Sequence, residues 1–300
     1  MVKTNIYILS NGNYFMRIIK RKKGNLEYFY LQHSIRKRKK VITKEKYLGK
    51  EIPKNIEKIK EEFKEQFSKN INEKLELIKN NFQHEWKKYP ASIKEKVKEQ
   101  LAIAFTYNTN AIEGSTITLE ETREILEDKI APNKPLRDIR ETESHAKVFL
   151  KMLEKKESLN EELLLKWHLE IFGETKQDIA GRYRDYLVRV GNYRAPDWQD
   201  IKNLMENLTK FINHEKLNPI ELAGRAHYKF EKIHPLGDGN GRIGRLIINY
   251  ILWHSGYPMM IIEYKKRKSY YKALQKEEEG FLNYFIRGYL NIHKKYLRNA

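Results

Sequence analysis

The sequence predicts a mainly α fold: an all-helical core interrupted by a short β-hairpin, preceded by a small N-terminal antiparallel β module and a long charged helix. Three observations predict it. Beyond residue 50, apolar residues recur three or four apart, the period of one helix face. Within the first fifty residues, short extended runs alternate with Asn-Gly and Gly-Asn turns. The 300 residues are 40% hydrophobic and 12% aromatic, enough for a sizeable core.

Taken in order, Ile6–Leu9, Tyr14–Ile19, Leu26–Gln32 and Val41–Leu48 are the expected strands, so residues 1–50 form one basic β module. Pro53 sits where a first helical turn begins, and Ile59, Phe63, Phe67, Ile71, Leu75 and Ile78 stripe one face of a helix from Ile56 to Lys88. Residues 51–90 thus read as a charged helical linker, stopped by Pro90. The span 91–297 carries the remaining helical signals. Ser92 is expected to cap a helix reaching about Asn108, and Thr118 with Glu121 matches a capping box. Further helices are expected over 137–155, 160–172, 198–214, 219–233, 240–254, 269–277 and 280–297. Leu187-Val188-Arg189-Val190 before Gly191-Asn192 reads as an extended hairpin among them. No repeat of 20–50 residues is present.

Composition excludes several classes. There is no cysteine, hence no disulfide, thiolate metal site or cysteine nucleophile. No run of eighteen apolar residues marks a membrane span, and the first residues lack a secretion pattern, so a cytoplasmic protein is expected. The net charge is +19, and residues 1–50 hold 14 Lys/Arg against 2 Asp/Glu. These basic residues read as solvated turns and strand edges. A nucleic-acid patch is the alternative, without a supporting motif.

The stretch His234-Pro235-Leu236-Gly237-Asp238-Gly239-Asn240-Gly241-Arg242-Ile243-Gly244-Arg245 carries the chemistry. Three glycines in five positions let the backbone bend and approach a ligand. The apolar run Leu246 to Trp253 then makes a buried helix, so the loop feeds a helix N-terminus, an anion site. Arg242 and Arg245, three apart, suit a polyphosphate. Asp238 beside phosphates implies Mg²⁺. His234 is placed as a general base for an attacking hydroxyl. No Gly-Lys-Ser/Thr follows, so this is not a Walker loop.

This segment resembles the signature of the Fic family, H-x-F-x-[DE]-G-N-G-R-x-x-R, matching at His234, Asp238, Gly239, Asn240, Gly241, Arg242 and Arg245, with Leu236 in place of Phe. The resemblance extends over roughly residues 95–290. It implies an all-helical core that moves AMP from Mg·ATP to a Ser, Thr or Tyr hydroxyl of a protein. By that resemblance His234 takes the hydroxyl proton and Asp238 holds Mg²⁺. Gly239, Asn240 and Gly241 form the anion hole, Arg242 serves the β-phosphate side and Arg245 meets the γ-phosphate. Val188-Arg189-Val190-Gly191 resembles the flap on which a protein substrate docks as an added strand. Tyr270-Tyr271 resembles the pair lining the adenine pocket. Glu278 stands near a position where the family often has Asn.

Thr109-Asn110-Ala111-Ile112-Glu113-Gly114 resembles the family's inhibitory motif, [S/T]-x-x-x-E-[G/N]. A Glu113 carboxylate bidentate on Arg245 would exclude a γ-phosphate, with Thr109 tying the helix end. The inhibitory helix is expected near 92–114. The same resemblance implies the reverse reaction, AMP removal, as an alternative, along with self-modification and a homodimer. Rival readings are a family member with another donor, against which Gly241 argues, a nucleic-acid-binding regulator, and a silenced toxin.

Overall fold

The computed structural model describes residues 16–37 and 40–298. The expected strand Ile6–Leu9 lies outside them. The chain divides into two units, one ending at Leu75 and one starting at Glu76. The boundary falls inside a helix, between the sequence-predicted limits of 50 and 90.

The first unit is a three-stranded antiparallel sheet, β1 (Met16–Lys23), β2 (Leu26–Lys37) and β3 (Lys40–Gly49), in that spatial order. Gly24, at φ +63, makes the first turn, where a side chain would be strained. The ladder runs further than the apolar pattern suggests: Arg36 pairs with Val41 and Lys37 with Lys40. Ile18, Leu31 and Phe63 form a core with Phe29, Leu48, Ile56 and Ile59 packed against it. Ile56, Ile59 and Phe63 come from the first turns of α1 (Ile56–Lys88), whose bounds match the periodic stripe.

The second unit is helical. α2 (Ala91–Ile112) starts at the residue after Pro90, whose extended backbone makes it the N-cap, so Ser92 falls in the first turn and caps nothing. α3 (Leu119–Arg123) does open with the expected capping box: Glu121 N donates to Thr118 Oγ1 at 3.1 Å, and Thr118 N to Glu121 Oε2 at 2.8 Å. There follow α4 (Leu136–Glu154), α5 (Glu161–Phe172), the hairpin β4 (Arg189–Val190) and β5 (Tyr193–Arg194), α6 (Ile201–His214), α7 (Pro219–Ile233), α8 (Asn240–His254), α9 (Arg267–Leu274) and α10 (Glu278–Ile292).

α8 is the axis of this unit. Ile243, Leu246, Ile247, Ile248 and Leu252 are completely enclosed, as a helix apolar all round must be. α7 packs against it closely enough that a Cβ on Gly244 would meet His227 and Glu231. α2 rests on α4 through Phe105 and Phe149, stacked at 4.7 Å. Among the described residues no helix is long and apolar enough to cross a membrane.

Candidate active site

α7 stops at His234, which takes the left-handed conformation at φ 50 and ψ 57, its N–H bonding Phe230 O at 2.9 Å. That conformation is uncommon outside glycine and is often held at functional sites. The loop 235–239 then turns into α8. Asn240, 2% exposed, staples it: Leu236 N donates to Asn240 Oδ1 at 2.9 Å, and Asn240 Nδ2 to Leu236 O at 2.8 Å. These two bonds pin the Asn240 amide to the backbone of Leu236 and so hold the loop against the start of α8. Gly239, at φ +77, lies against the Phe172 ring, where a Cβ would collide.

The first N–H groups of α8 have no partners inside the helix, and they gather the positive end of its dipole. A carboxylate already lies there: the Glu113 Oε1 atom occupies the space a Gly241 side chain would need. Glu113 follows the last residue of α2, and Gly114, at φ +94, ends that helix. Arg245, 2% exposed, donates Nη2 to Glu113 Oε1 at 2.7 Å, Nε to Thr109 Oγ1 at 2.6 Å and Nη2 to Thr109 O at 3.1 Å. The expected bidentate Glu113 pair is therefore a shared clamp, because α2 runs past Arg245 and presents Thr109 one turn before Glu113. The Arg245 Nη1 atom is buried without a partner in the structure.

The other signature arginine is held elsewhere. Arg242 Nη1 donates to Glu141 Oε2 at 2.5 Å, with its guanidinium 4.2 Å from the Phe172 ring centre. Glu141 also meets Lys176 at 3.0 Å, and Lys176 reaches Asp238 Oδ2 at 2.7 Å. Burial pushes both carboxyls up, yet both lie below the ordinary range: Arg242 dominates for Glu141, and the Lys176 hydrogen bond for Asp238. Both are carboxylates at neutral pH.

Two residues the sequence reading missed hold the loop from behind. His168 is enclosed; its Nδ1 accepts from Gly181 N at 3.0 Å, so its Nε2 donates to Asp238 O at 3.1 Å. Burial lowers its pKa to about 4, keeping it neutral. Arg184, 4% exposed, donates to the carbonyls of His234 (2.8 Å), Tyr186 (2.5 Å) and Pro196 (2.7 Å). It thereby ties the loop after α7 to both feet of the β4–β5 hairpin. That hairpin is exposed along Arg189–Arg194, with Gly191 at φ +59 in its turn.

The remaining predicted residues divide. Tyr271 is 40% exposed and bonds Ile112 O at 3.2 Å, linking α9 to the end of α2. Tyr270 is 1% exposed, with its hydroxyl 2.8 Å from His227 Nε2, so it forms a floor under Arg245 rather than an open pocket wall. Its burial comes from the α7–α9 packing, which a Tyr-Tyr pair does not reveal. Glu278 is paired with Arg225 at 2.9 Å and Lys229 at 3.2 Å.

Beneath the clamp, burial raises Glu231 to about 7, with Arg245 opposing and Glu113 adding to the shift. A folded-state pKa above the ordinary 4.5 means the folded protein holds its proton longer. Stability present below about 4.5 is lost as pH rises through about 7, on the order of 3 kcal/mol. Glu231→Gln is expected to abolish that decline. Thermal melts at pH 5 and pH 8 check it: a wild-type loss across this range no larger than the variant's would contradict the assignment.

A helix N-terminus beside a glycine loop, with enclosed arginines and an imidazole, defines an α-helical site for a phosphate-bearing ligand. Residues 158–252 match the model of the Fic/DOC family. It is 36% identical over 189 residues to Protein adenylyltransferase Fic of Nematostella vectensis, covering 60% of this chain and 44% of that protein. It is 33% identical over 199 residues to the protein of the same name from Drosophila ananassae, covering 64% and 40%. The chain thus spans less than half the length of these relatives. A structure of Fic-1 (residues 134–508) from C. elegans superposes with a TM-score of 0.66 at 25% identity, covering 78% of this chain and 74% of that one. A Fic domain containing signaling protein from Bacteroides thetaiotaomicron shares the fold, with a TM-score of 0.64 at 24% identity over 77% of this chain and 97% of that one.

Proposed function

We propose that this chain transfers AMP from ATP to a hydroxyl of a protein, and that Glu113 restrains it. The observation that carries this reading is the Glu113 carboxylate lying at Gly241, on the N-terminus of α8, clamped by Arg245. An anion site is occupied by an anion from the chain itself, and ATP phosphates are the natural replacement.

Each residue then has a task. Burial lowers the His234 pKa, and the Arg184 charge reinforces this, so the imidazole is neutral near pH 7 and able to accept a hydroxyl proton. The backbone of Gly239, Asn240 and Gly241 receives the phosphates, and Arg245 meets the end of the triphosphate once Glu113 leaves. Arg242 adds positive charge held in place by Glu141. Asp238, half exposed and ionised, suits Mg²⁺ brought in with the nucleotide. When bound, such an ion would offset phosphate charge. Lys176 must then give up Asp238. The β4–β5 hairpin, with exposed backbone edges, is where an extended segment of the substrate protein docks.

The test compares ATP labelled at the α- or γ-phosphate, with the Glu113→Gly variant and cell lysate. Label reaching protein only from the α position supports AMP transfer. Label from γ alone, or none from either, contradicts it.

Arg184 supplies a second check. Arg184→Lys retains charge but not the planar fork that spans three carbonyls. It is expected to lower kcat for transfer about tenfold, near the low end of the roughly 1.5–3 kcal/mol of a charged hydrogen bond, while the ATP dissociation constant stays within about twofold. Equal losses in both would mean that Arg184 serves folding alone.

A further inference from the structure

We propose that the N-terminal sheet is a binding face for double-stranded DNA. This is independent of the AMP-transfer reading and concerns a different unit of the chain.

The antiparallel register places Arg17 opposite Gln32 and Gln32 opposite Glu45, Ile19 opposite Tyr30 and Tyr30 opposite Tyr47, and Arg21 opposite Tyr28. Directly paired residues share a face, and side chains alternate along a strand. One face therefore carries Arg17, Arg21, Lys23, Tyr28, Tyr30 and Tyr47, together with the buried Ile19 and Gln32 and with Glu45. The opposite face holds Ile18 and Leu31, which make the core with Phe63, and also Lys20, Lys22 and Lys46.

The outer face is ordered. Arg17 Nε donates to Gln32 Oε1 at 2.5 Å, Gln32 Nε2 to Glu45 Oε1 at 2.7 Å, and Arg21 Nη2 to the same oxygen at 2.7 Å. This strap crosses all three strands and fixes two guanidinium groups. Arg21 lies 5.0 Å from the Tyr30 ring centre; Tyr47, 54% exposed, is 5.3 Å from Tyr30 and 6.2 Å from Tyr28. Arg17 and Lys23 are exposed.

Charge selects the partner. Residues 16–50 hold 13 Lys/Arg against 2 Asp/Glu, whereas residues 51–75 hold 6 against 6. A chain merely rich in lysine would raise acids alongside, as the helical stretch does. On the core face Lys20, Lys22 and Lys46 are paired with Glu27 and Glu62, so the exposed charge of Arg17 and Lys23 on the other face is what a polyanion would meet. The rings are inclined by 46° and 54°, not parallel, so they do not form successive platforms for the bases of a single strand. They offer edges and hydroxyls beside guanidinium groups, which suits phosphates and a groove wall.

The experiment is fluorescence anisotropy of a labelled DNA duplex with the whole chain, from about 50 to about 200 mM salt. Saturable binding is expected, weakening about a hundredfold or more across that range. The variant Arg17→Gln/Arg21→Gln/Lys23→Gln should lose at least about tenfold in affinity and flatten the salt slope by about 2–3. The charge-matched variant Lys54→Gln/Lys58→Gln/Lys69→Gln, on the balanced stretch, should bind nearly as wild type. Should circular dichroism show the first variant misfolded, Lys23→Gln/Tyr47→Ala, two exposed positions, takes its place with a loss of about fivefold expected from one phosphate contact and one ring. Absence of saturable binding, equal losses in the two charge variants, or tighter binding of a single strand of the same length would each overturn the proposal.

Discussion

Replacing Glu113 with glycine is expected to raise AMP transfer by about 10- to 100-fold, read as initial incorporation of α-labelled AMP at sub-saturating ATP. The size follows from what Arg245 loses. A hydrogen bond between charged groups is worth about 1.5–3 kcal/mol, and here it must be broken before a phosphate takes the same guanidinium. The carboxylate also sits on Gly241, so its removal vacates the positive end of α8 as well as freeing the arginine. Thr109 would continue to hold Arg245 through Nε, leaving the guanidinium aimed at the site rather than collapsed. Glu113→Gln separates the two effects: it keeps the volume over Gly241 but removes the charge, so its gain should be smaller than that of glycine. Calorimetry should show the same order for ATP affinity. A Glu113→Gly variant that binds and transfers no better than wild type would show that this clamp is structural.

The difference between the legible and illegible parts of this site lies in how far apart the partners are in sequence. His234, Asp238, the glycines, Arg242 and Arg245 fall within twelve consecutive residues, so the loop and its helix could be read as one object. Glu113 could be read because it ends a helix before a glycine, in a recognisable short pattern. Glu141 and Lys176 could not: each is one charged residue in a run of many, and they matter only because α4 and the segment after α5 converge beneath Asp238 and Arg242. His168 and Arg184 look like ordinary residues beside an amphipathic helix and a hairpin. Their roles arise from bonds to backbone carbonyls 50 or more residues away, a property of loop geometry that side-chain periodicity does not encode. The helices themselves followed from apolar spacing, since each buries a stripe against a neighbour, α2, α4, α5 and α7 on α8 and α6 and α10 on α7. The Ser92 cap failed for a local reason, because Pro90 already supplies the extended N-cap backbone.

His234→Ala in the Glu113→Gly background should lower transfer by about 10²- to 10⁴-fold, the usual weight of a positioned general base. Alanine alone would leave an ambiguity, because residue 234 sits in the left-handed region, where losing the imidazole also alters backbone strain. Asparagine resolves it. Asn tolerates that conformation better than most residues but cannot accept the proton at neutral pH. His234→Asn should therefore match alanine in lost transfer while melting close to the parent. The pH profile gives a second, independent reading. Burial and then Arg184 hold the His234 pKa below 6.5, so the neutral imidazole predominates at pH 7. In the Glu113→Gly parent, kcat should be flat above that pH and fall as pH drops through the lowered value. The residual activity of His234→Asn should lack that acidic limb. If the limb persisted in the asparagine variant, another group would be accepting the proton, and the carbonyl clasp of Arg184 on His234 would have to be explained by folding rather than by catalysis.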